Sequence, residues 1–362
     1  MNIYDIAKKA AVSPTTVSRV LNGNKAVRRE TKERVLKVID DMNYVPSSVA
    51  RSLSVKGTSN IAVIVPDITN PFFSSILSGI TQTADEYEYN TFLFGTGEDP
   101  KKQYRVLQTV KAENLKGIII VPVFENDEET VKMLKELEGM NVPIVLIDRE
   151  INGGCFDGVF SNDREGSYRA VKKLIDTGHR KIAVIKGPLT SRPGRERYEG
   201  YVRAMTEAGI EIREEYSRGG SFLLDDLAYE DTHKLMTLSE PPTAIFTANN
   251  MASLGCMKCL FDMGLTIGKD ISLVGFDDIE TLKYLNIDLS VVDRPVQRMG
   301  MEAMELLQLR FCEQKEDRGI TRKIIIDTEL ILRGSEQIDK NRLEDPDGSL
   351  EKIIKAKEKG GR

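Results

Sequence analysis

From Asn60 onward the chain repeats one alternation that few folds can satisfy. IAVIVP, TFLFG, GIIIVP, IVLID, GVFSN, KIAVIKG, AIFTAN, SLVGFD and SVVDRP are short apolar runs rich in β-branched residues. Between them lie stretches of helical periodicity, among them 73–87, 104–113, 128–140 and 166–177. Strands that are apolar throughout are buried on both faces, and strands alternating with helices build parallel sheets covered by those helices. Breaks near Ser161 and Ser290 predict two α/β subdomains, with the chain crossing between them several times. Ligands of such sheets sit beyond the carboxyl ends of the strands. Here those ends are expected to face a cleft between the two subdomains.

The first sixty residues follow a different period. Ile3, Ile6, Ala7 and Ala10 make one helical stripe, and Ala11 and Val12 fill a short turn. Ser13 is a suitable N-cap, and Pro14 stands where its missing N–H costs nothing. The next helix turns Val17, Val20 and Leu21 inward and leaves Thr15, Thr16, Ser18 and Arg19 outside. A third helix is expected over 30–42, with Val35, Leu36, Ile39 and Met42 on one face. Two short helices joined by a tight turn, the second carrying small polar groups and an arginine, fit either a helix-turn-helix able to enter a DNA major groove or an ordinary helical hairpin in a core.

The run YDIA…VS…TVSRVLNG…NYVPSSVARSL, followed by a strand ending in PDITNPFF, resembles the LacI/GalR family of transcriptional repressors from the N-terminus to about Gly334. The resemblance implies a three-helix head on a two-lobed core like that of periplasmic binding proteins. It implies residues 1–45 as the DNA-binding domain and 46–59 as a hinge that becomes helical only on DNA. It implies a core at 60–334, with 60–161 and 291–320 in one subdomain and 162–290 and 321–334 in the other. By the same resemblance Leu53 wedges into the minor groove, Ala50 is the close-packing position beside its twin, and Asn22 and Tyr44 join Thr15, Thr16, Ser18 and Arg19 at the DNA. Where relatives often start the third helix with a serine cap, Arg28 stands instead, and it trades a cap for a phosphate contact.

The strand ends carry the second chemistry. Asn70, Phe72 and Phe73 follow the first strand, Asp148 and Arg149 follow IVLI, Arg197 lies in GRERYEGY, Asn249 follows AIFTA and Asp277 follows SLVGF. Carboxylates and amides bond hydroxyls, arginine donates in a fork, and aromatic rings cover the apolar side of a sugar. The set is similar to the ribose-type sugar site of the superfamily, NPFF…DR…RER…N…D. One departure is Arg294-Pro295, where many relatives have Gln-Pro. An extra guanidinium either favours an anionic ligand, a sugar phosphate or sugar acid, or pairs with Asp148 or Asp277.

Charge separates head from body. Of the net charge of −5, residues 1–60 hold +6 and the remainder −11. A basic head on an acidic body suits a DNA module on a ligand domain. No apolar leader and no membrane-length apolar run is present, and a reducing cytoplasm is expected. Cys256 and Cys259 share a helix face with no second pair or nearby histidine, so they are expected as buried thiols and no metal or cofactor is implied. Without a Ser/His/Asp set or a phosphate loop an enzyme is not expected. A secreted sugar-binding protein would lack the head. The expectation is a homodimeric repressor on a pseudo-palindromic operator, controlled by a small sugar or sugar derivative. Control by a phosphorylated partner protein, or a global role in carbon metabolism, stays open. The charged segment 335–362, with Leu350, Ile353 and Ile354, is too short for a tetramerising coiled coil and is expected to fray.

Overall fold

The computed structural model describes residues 3–21, 27–42, 59–113, 115–220, 225–313 and 319–339. The chain divides into two compact units, an N-terminal helical unit and a core that begins at Ile61.

The N-terminal unit holds α1 (Ile3–Lys9), α2 (Pro14–Leu21) and α3 (Arg29–Asp41). Ile6, Ala7, Ala10, Val17, Val20, Val35 and Val38 form its core. Ala11 takes a left-handed φ of 52° between the first two helices. Ser13 Oγ then accepts the Thr16 N–H at 3.2 Å, capping α2 as its sequence suggests. The inward face of α3 corrects the expectation. Val38 is buried, whereas Leu36 is 44% exposed. The stripe runs through 35, 38, 39 and 42, and position 36 lies about 100° away from 35 around the helix. Arg28 occupies the N-cap of α3 without a side-chain cap bond. Asn22, Tyr44, Ala50 and Leu53, with the proposed hinge around them, lie outside the described residues.

The core is two lobes. The first contains β1 (Asn60–Val65), α4 (Pro71–Glu86), β2 (Asn90–Gly95), α5 (Pro100–Ala112), β3 (Gly117–Ile120), α6 (Glu128–Gly139), β4 (Ile144–Ile147) and β5 (Asp157–Ser161). The second contains α7 (Asp163–Thr177), β6 (Ile182–Lys186), α8 (Arg192–Glu207), β7 (Ser217–Gly219), α9 (Asp225–Met236), β8 (Ala244–Thr247), α10 (Asn250–Asp262), β9 (Ser272–Phe276), α11 (Glu280–Tyr284) and β10 (Ser290–Asp293). The chain then returns to the first lobe for α12 (Val296–Cys312) and β11 (Lys323–Ile326), and ends in the second with β12 (Glu329–Ile331). The sheets run β11-β5-β4-β3-β1-β2 and β12-β10-β9-β8-β6-β7. Their central strands pair in parallel, for example Val63 with Ile119 and Val184 with Phe246, and β12 pairs antiparallel to β10. The central strands are buried at nearly every position, as strands covered on both faces must be.

The late crossings differ from the expected boundaries. Residues 291–293 belong to the second sheet, paired with β9, and 323–326 to the first, paired with β5. A chain leaves a parallel sheet at the carboxyl end of a strand, so the crossing falls after Asp293. The run KIII forms an edge strand of the first sheet, in addition to the nine apolar runs named from the sequence. Beyond β12, Ser335 and Glu336 are buried. Ser335 Oγ donates to Leu273 O at 2.6 Å and accepts the Ser290 N–H at 2.7 Å. Ser272 Oγ donates to Gln337 O at 2.6 Å and meets His179 Nε2 at 2.8 Å, while His179 Nδ1 meets Thr243 Oγ1 at 2.8 Å. The segment expected to fray therefore begins as a strap beneath the second sheet, and only residues past 339 lie outside the described part.

Within the first lobe, α4 and α12 touch backbone to backbone. A Cβ on Gly79 would fall 2.0 Å from Gln297 O, and one on Gly300 2.2 Å from Ile76 O. Only glycine permits that approach. It presses Met299, Ala303, Met304 and Leu307 of α12 into the first core. Cys256 and Cys259 are buried on α10, and burial pushes their thiols up to about 12 and about 11.

Candidate functional site

A pocket between the two lobes is lined by Asn70, Phe72, Phe73, Asp148, Arg149, Arg197, Asn249, Asp277 and Arg294, with Glu98, Pro193 and Asn250. All nine candidates for ligand contact thus meet in one place. They come from the carboxyl ends of β1, β4, β8, β9 and β10 and from the start of α8.

Two asparagines serve as helix caps and wall at once. Asn70 Oδ1 accepts the Phe72 N–H at 3.0 Å at the start of α4, and also accepts Asn250 Nδ2 from the other lobe at 2.8 Å. Asn249 Oδ1 accepts the Ala252 N–H at 2.7 Å at the start of α10. The Nδ2 of Asn249 is buried with no hydrogen-bond partner in the protein. A buried unsatisfied donor on a pocket wall is a group that a ligand oxygen can satisfy.

Arg294 resolves the alternative left open by its sequence. Its side chain is 1% exposed and bridges the lobes. Nε donates to Asp277 Oδ1 at 2.8 Å, and Nη1 donates to Asp148 Oδ1 at 2.8 Å and to Ser161 Oγ at 3.1 Å. Its guanidinium lies over the Phe72 ring at 4.3 Å and the Phe276 ring at 5.4 Å. Burial opposes its charge, but Asp277, Asp163 and Asp148 outweigh that and hold its pKa above the ordinary arginine value. It pairs with both aspartates and is no free cation for a ligand.

The other arginines are also engaged. Arg197 Nε donates to Asp163 Oδ2 at 2.7 Å and Nη1 to Ala248 O at 2.7 Å, while its guanidinium lies 3.8 Å from the Phe276 centroid. Burial would raise the Asp163 pKa, yet Arg197, Arg294 and a bond donated by Ser161 keep it below the usual carboxylate range. Arg149 makes two parallel bonds to Glu98, at 2.7 and 2.6 Å. Asp148 and Asp277 sit at left-handed φ of 65° and 70°, a strain tolerated where neighbours hold it in place. Sequence reasoning missed Glu98, Ser161, Asp163 and Asn250. GTGEDP and SND also follow strands and Asn250 adjoins Asn249, so position alone marks these residues as candidates.

In the N-terminal unit, Thr15 and Arg19 of α2 are exposed, while Thr16 and Ser18 are half-buried. The Thr16 hydroxyl lies 2.9 Å from Ser13 Oγ and so shares in the cap. Among the described residues no group of His, Cys, Asp and Glu is placed to hold a metal ion, and no helix is long and apolar enough to cross a membrane.

Residues 58–333 match the family described as periplasmic binding proteins and sugar binding domain of LacI family, and residues 2–47 match bacterial regulatory proteins, lacI family. The chain is 34% identical over 333 residues to the HTH-type transcriptional repressor PurR of Haemophilus influenzae (strain PittEE), covering 92% of this chain and 98% of that protein. It is 32% identical over 334 residues to the ribose operon repressor of Haemophilus influenzae (strain ATCC 51907 / DSM 11121 / KW20 / Rd), covering 91% and 97%. Among solved structures it is similar to the lac repressor dimer bound to operator and the anti-inducer ONPF, with a TM-score of 0.78 and 25% identity over 93% of this chain and 99% of that one. The chain belongs to the LacI family: it is a helix-turn-helix transcriptional repressor with an effector-binding domain, and not an enzyme.

Proposed function

We propose that this repressor binds a pseudo-palindromic operator as a homodimer and that a small, hydroxyl-rich, sugar-like effector in the interlobe pocket controls that binding. The observation that carries the effector reading is the pocket wall itself. Asp148, Asp277, Asn70 and Asn249 offer hydroxyl partners from both lobes, beside the rings of Phe72 and Phe73. A neutral ligand suits it better than an anionic one, because Arg294 and Arg197 are already paired. A flat heteroaromatic ligand suits it less, because guanidinium groups cover faces of Phe72 and Phe276. The name of the ribose operon repressor accords with a sugar-related role, and the solved lac repressor is a dimer on its operator. Edge strand β2 leaves Phe92 and Leu93 exposed, an apolar edge fit to meet a second copy. In the helical unit, Thr15, Thr16 and Arg19 are the proposed base readers, with Ser18 beside them. Asn22, Tyr44, Ala50 and Leu53 keep the DNA roles implied by resemblance.

A ligand that bonds both lobes shifts their equilibrium only by its differential affinity for the two states, typically about 1–3 kcal/mol of coupling. The test is a thermal-shift screen of neutral sugars, sugar acids, sugar phosphates and purine bases, with hits retested by anisotropy on a selected operator. A neutral sugar should change operator affinity about 5- to 150-fold in the parent protein. Asp277→Asn should lose that response. An effector that acts equally on parent and Asp277→Asn does not use this pocket, and a phosphoprotein acting where no sugar does would favour partner control.

A further inference from the structure

We infer that Glu98 sets the ligand charge this pocket accepts, by occupying Arg149 and closing the site to anions. The inference rests on the effector reading above and adds a specificity-determining residue to it. Glu98 lies in the loop between β2 and α5. Thr96 N–H donates to Val65 O at 2.9 Å and Gly97 N–H to Pro66 O at 2.7 Å, tying the loop to the end of β1. On the other side Asp99 Oδ1 accepts the Lys101 N–H at 2.8 Å and caps α5. Between these anchors Gly97 and Glu98 both take left-handed backbone, with φ of 64° and 57°. Glycine adopts that region freely and glutamate does not. Glu98, Asp148 and Asp277, three carboxylates of one pocket, share this strained conformation. Strain that clusters at a site persists because side-chain interactions over-determine it.

For Glu98 that interaction is the fork on Arg149. The Arg149 side chain is 4% exposed and the Glu98 side chain 18%. Burial opposes the charge of Arg149, but the hydrogen bonds and charge of Glu98, with Asp148 behind, hold its pKa above the ordinary value. All three pocket arginines are then matched: Arg149 by Glu98, Arg197 by Asp163, and Arg294 by Asp148 and Asp277. Three guanidinium groups face four carboxylates. A carboxylate or phosphate entering this pocket meets an excess of negative charge, whereas a hydroxyl meets acceptors. Without the Glu98 charge, Arg149 would offer a two-donor fork of the kind that matches phosphate and carboxylate.

Glu98→Gln keeps the shape and one acceptor for Arg149 while removing the charge. Inorganic phosphate is the first probe, because it needs no knowledge of the effector. In thermal-shift titration it should stabilise Glu98→Gln at concentrations about 10- to 100-fold below those that affect the parent protein, the range for a charge-assisted bond gained. Adding Arg149→Gln to Glu98→Gln should abolish the gain. Paired sugars that differ in charge, glucose with glucuronate and ribose with ribose 5-phosphate, should show the same shift by calorimetry. Equal phosphate response in parent and Glu98→Gln overturns the inference, as does a gain that survives Arg149→Gln. If no neutral sugar binds the parent protein, the effector reading falls instead, and the phosphate titration still decides the role of Glu98.

Discussion

Among the ion pairs that cross from lobe to lobe, two are built from the same kinds of group in opposite surroundings. Arg294 reaches Asp148 and Asp277 in the pocket, with side chains 1%, 6% and 7% exposed. Arg195 of α8 reaches Glu125 of the first lobe at the rim, through bonds of 2.5 and 2.9 Å, with its side chain 39% exposed. The distances are alike, so geometry does not tell the two apart; solvent does. The rim pair is open to solvent on its Arg195 side only, since the Glu125 side chain is 6% exposed, and breaking it frees one group into water and leaves one carboxylate without its cation. The pocket pair is desolvated, and breaking it strands carboxylates in the protein interior. The same chemistry therefore serves as a weak latch outside and as a structural tie within.

The largest expected effect follows from that contrast. Arg294→Ala should lower stability by about 3–5 kcal/mol, because Asp148, Asp163 and Asp277 then face one another without their shared cation. Denaturant unfolding of parent and variant measures it. A loss no larger than that of Arg195→Ala would show that burial does not separate the two bridges.

Acid sharpens the comparison with an intermediate effect. Burial would raise the pKa of Asp163, but Arg197 and Arg294 beside it hold it below the usual carboxylate range, so this group keeps its charge through mildly acid pH. His179, far from the bridge beneath the second sheet, behaves differently. Burial pushes it down to about 4, against a bond that favours its charge. Between pH 6.5 and 4 the unfolded chain binds a proton that the folded chain refuses, so stability falls as pH falls through that window. From pH 6.5 to 5 the loss is about 2 kcal/mol. His179→Gln should flatten that slope in pH-dependent unfolding curves. An unchanged slope would place the acid sensitivity in other groups.

The smallest effect belongs to the rim. Arg195→Ala should cost about 1–2 kcal/mol, because one half-exposed cation leaves one buried carboxylate, and the difference from parent should shrink in high salt. A salt-independent loss near that of Arg294→Ala would make the rim pair a second structural tie.

Which parts of this were legible follows from where the signals lie. Parallel strands buried on both faces announce themselves by composition, and their carboxyl ends pointed to Asn70, Asp148, Asn249 and Asp277 directly. The pairing of Arg294 with Asp148 or Asp277 was legible only as one of two alternatives, because a sequence carries no distance between residues 146 positions apart. Leu36 and Val38 exchanged places because a short helix leaves the phase of its stripe poorly determined. Glu98 follows a strand in GTGEDP, but its φ of 57° is what aims it, and nothing about a glutamate announces a left-handed backbone. The strap at Ser335–Gln337 reads as a polar tail, since its burial depends on hydroxyl and amide partners supplied by strands β9 and β10.

The threefold crossing has a consequence for how the chain is made. The first lobe is begun at residue 60, yet α12 and β11, which complete its core and its sheet, lie at 296–326. Synthesis from the N-terminus therefore delivers the whole central part of the second lobe before the first can close. During that interval Ile76 and Ile80 of α4 lack the helix they pack against, and the groove opposite Gly79 stands empty. A ribosome stalled at the end of that interval should hold a first lobe that lacks α12 and β11 beside a second that lacks only β12 and its strap.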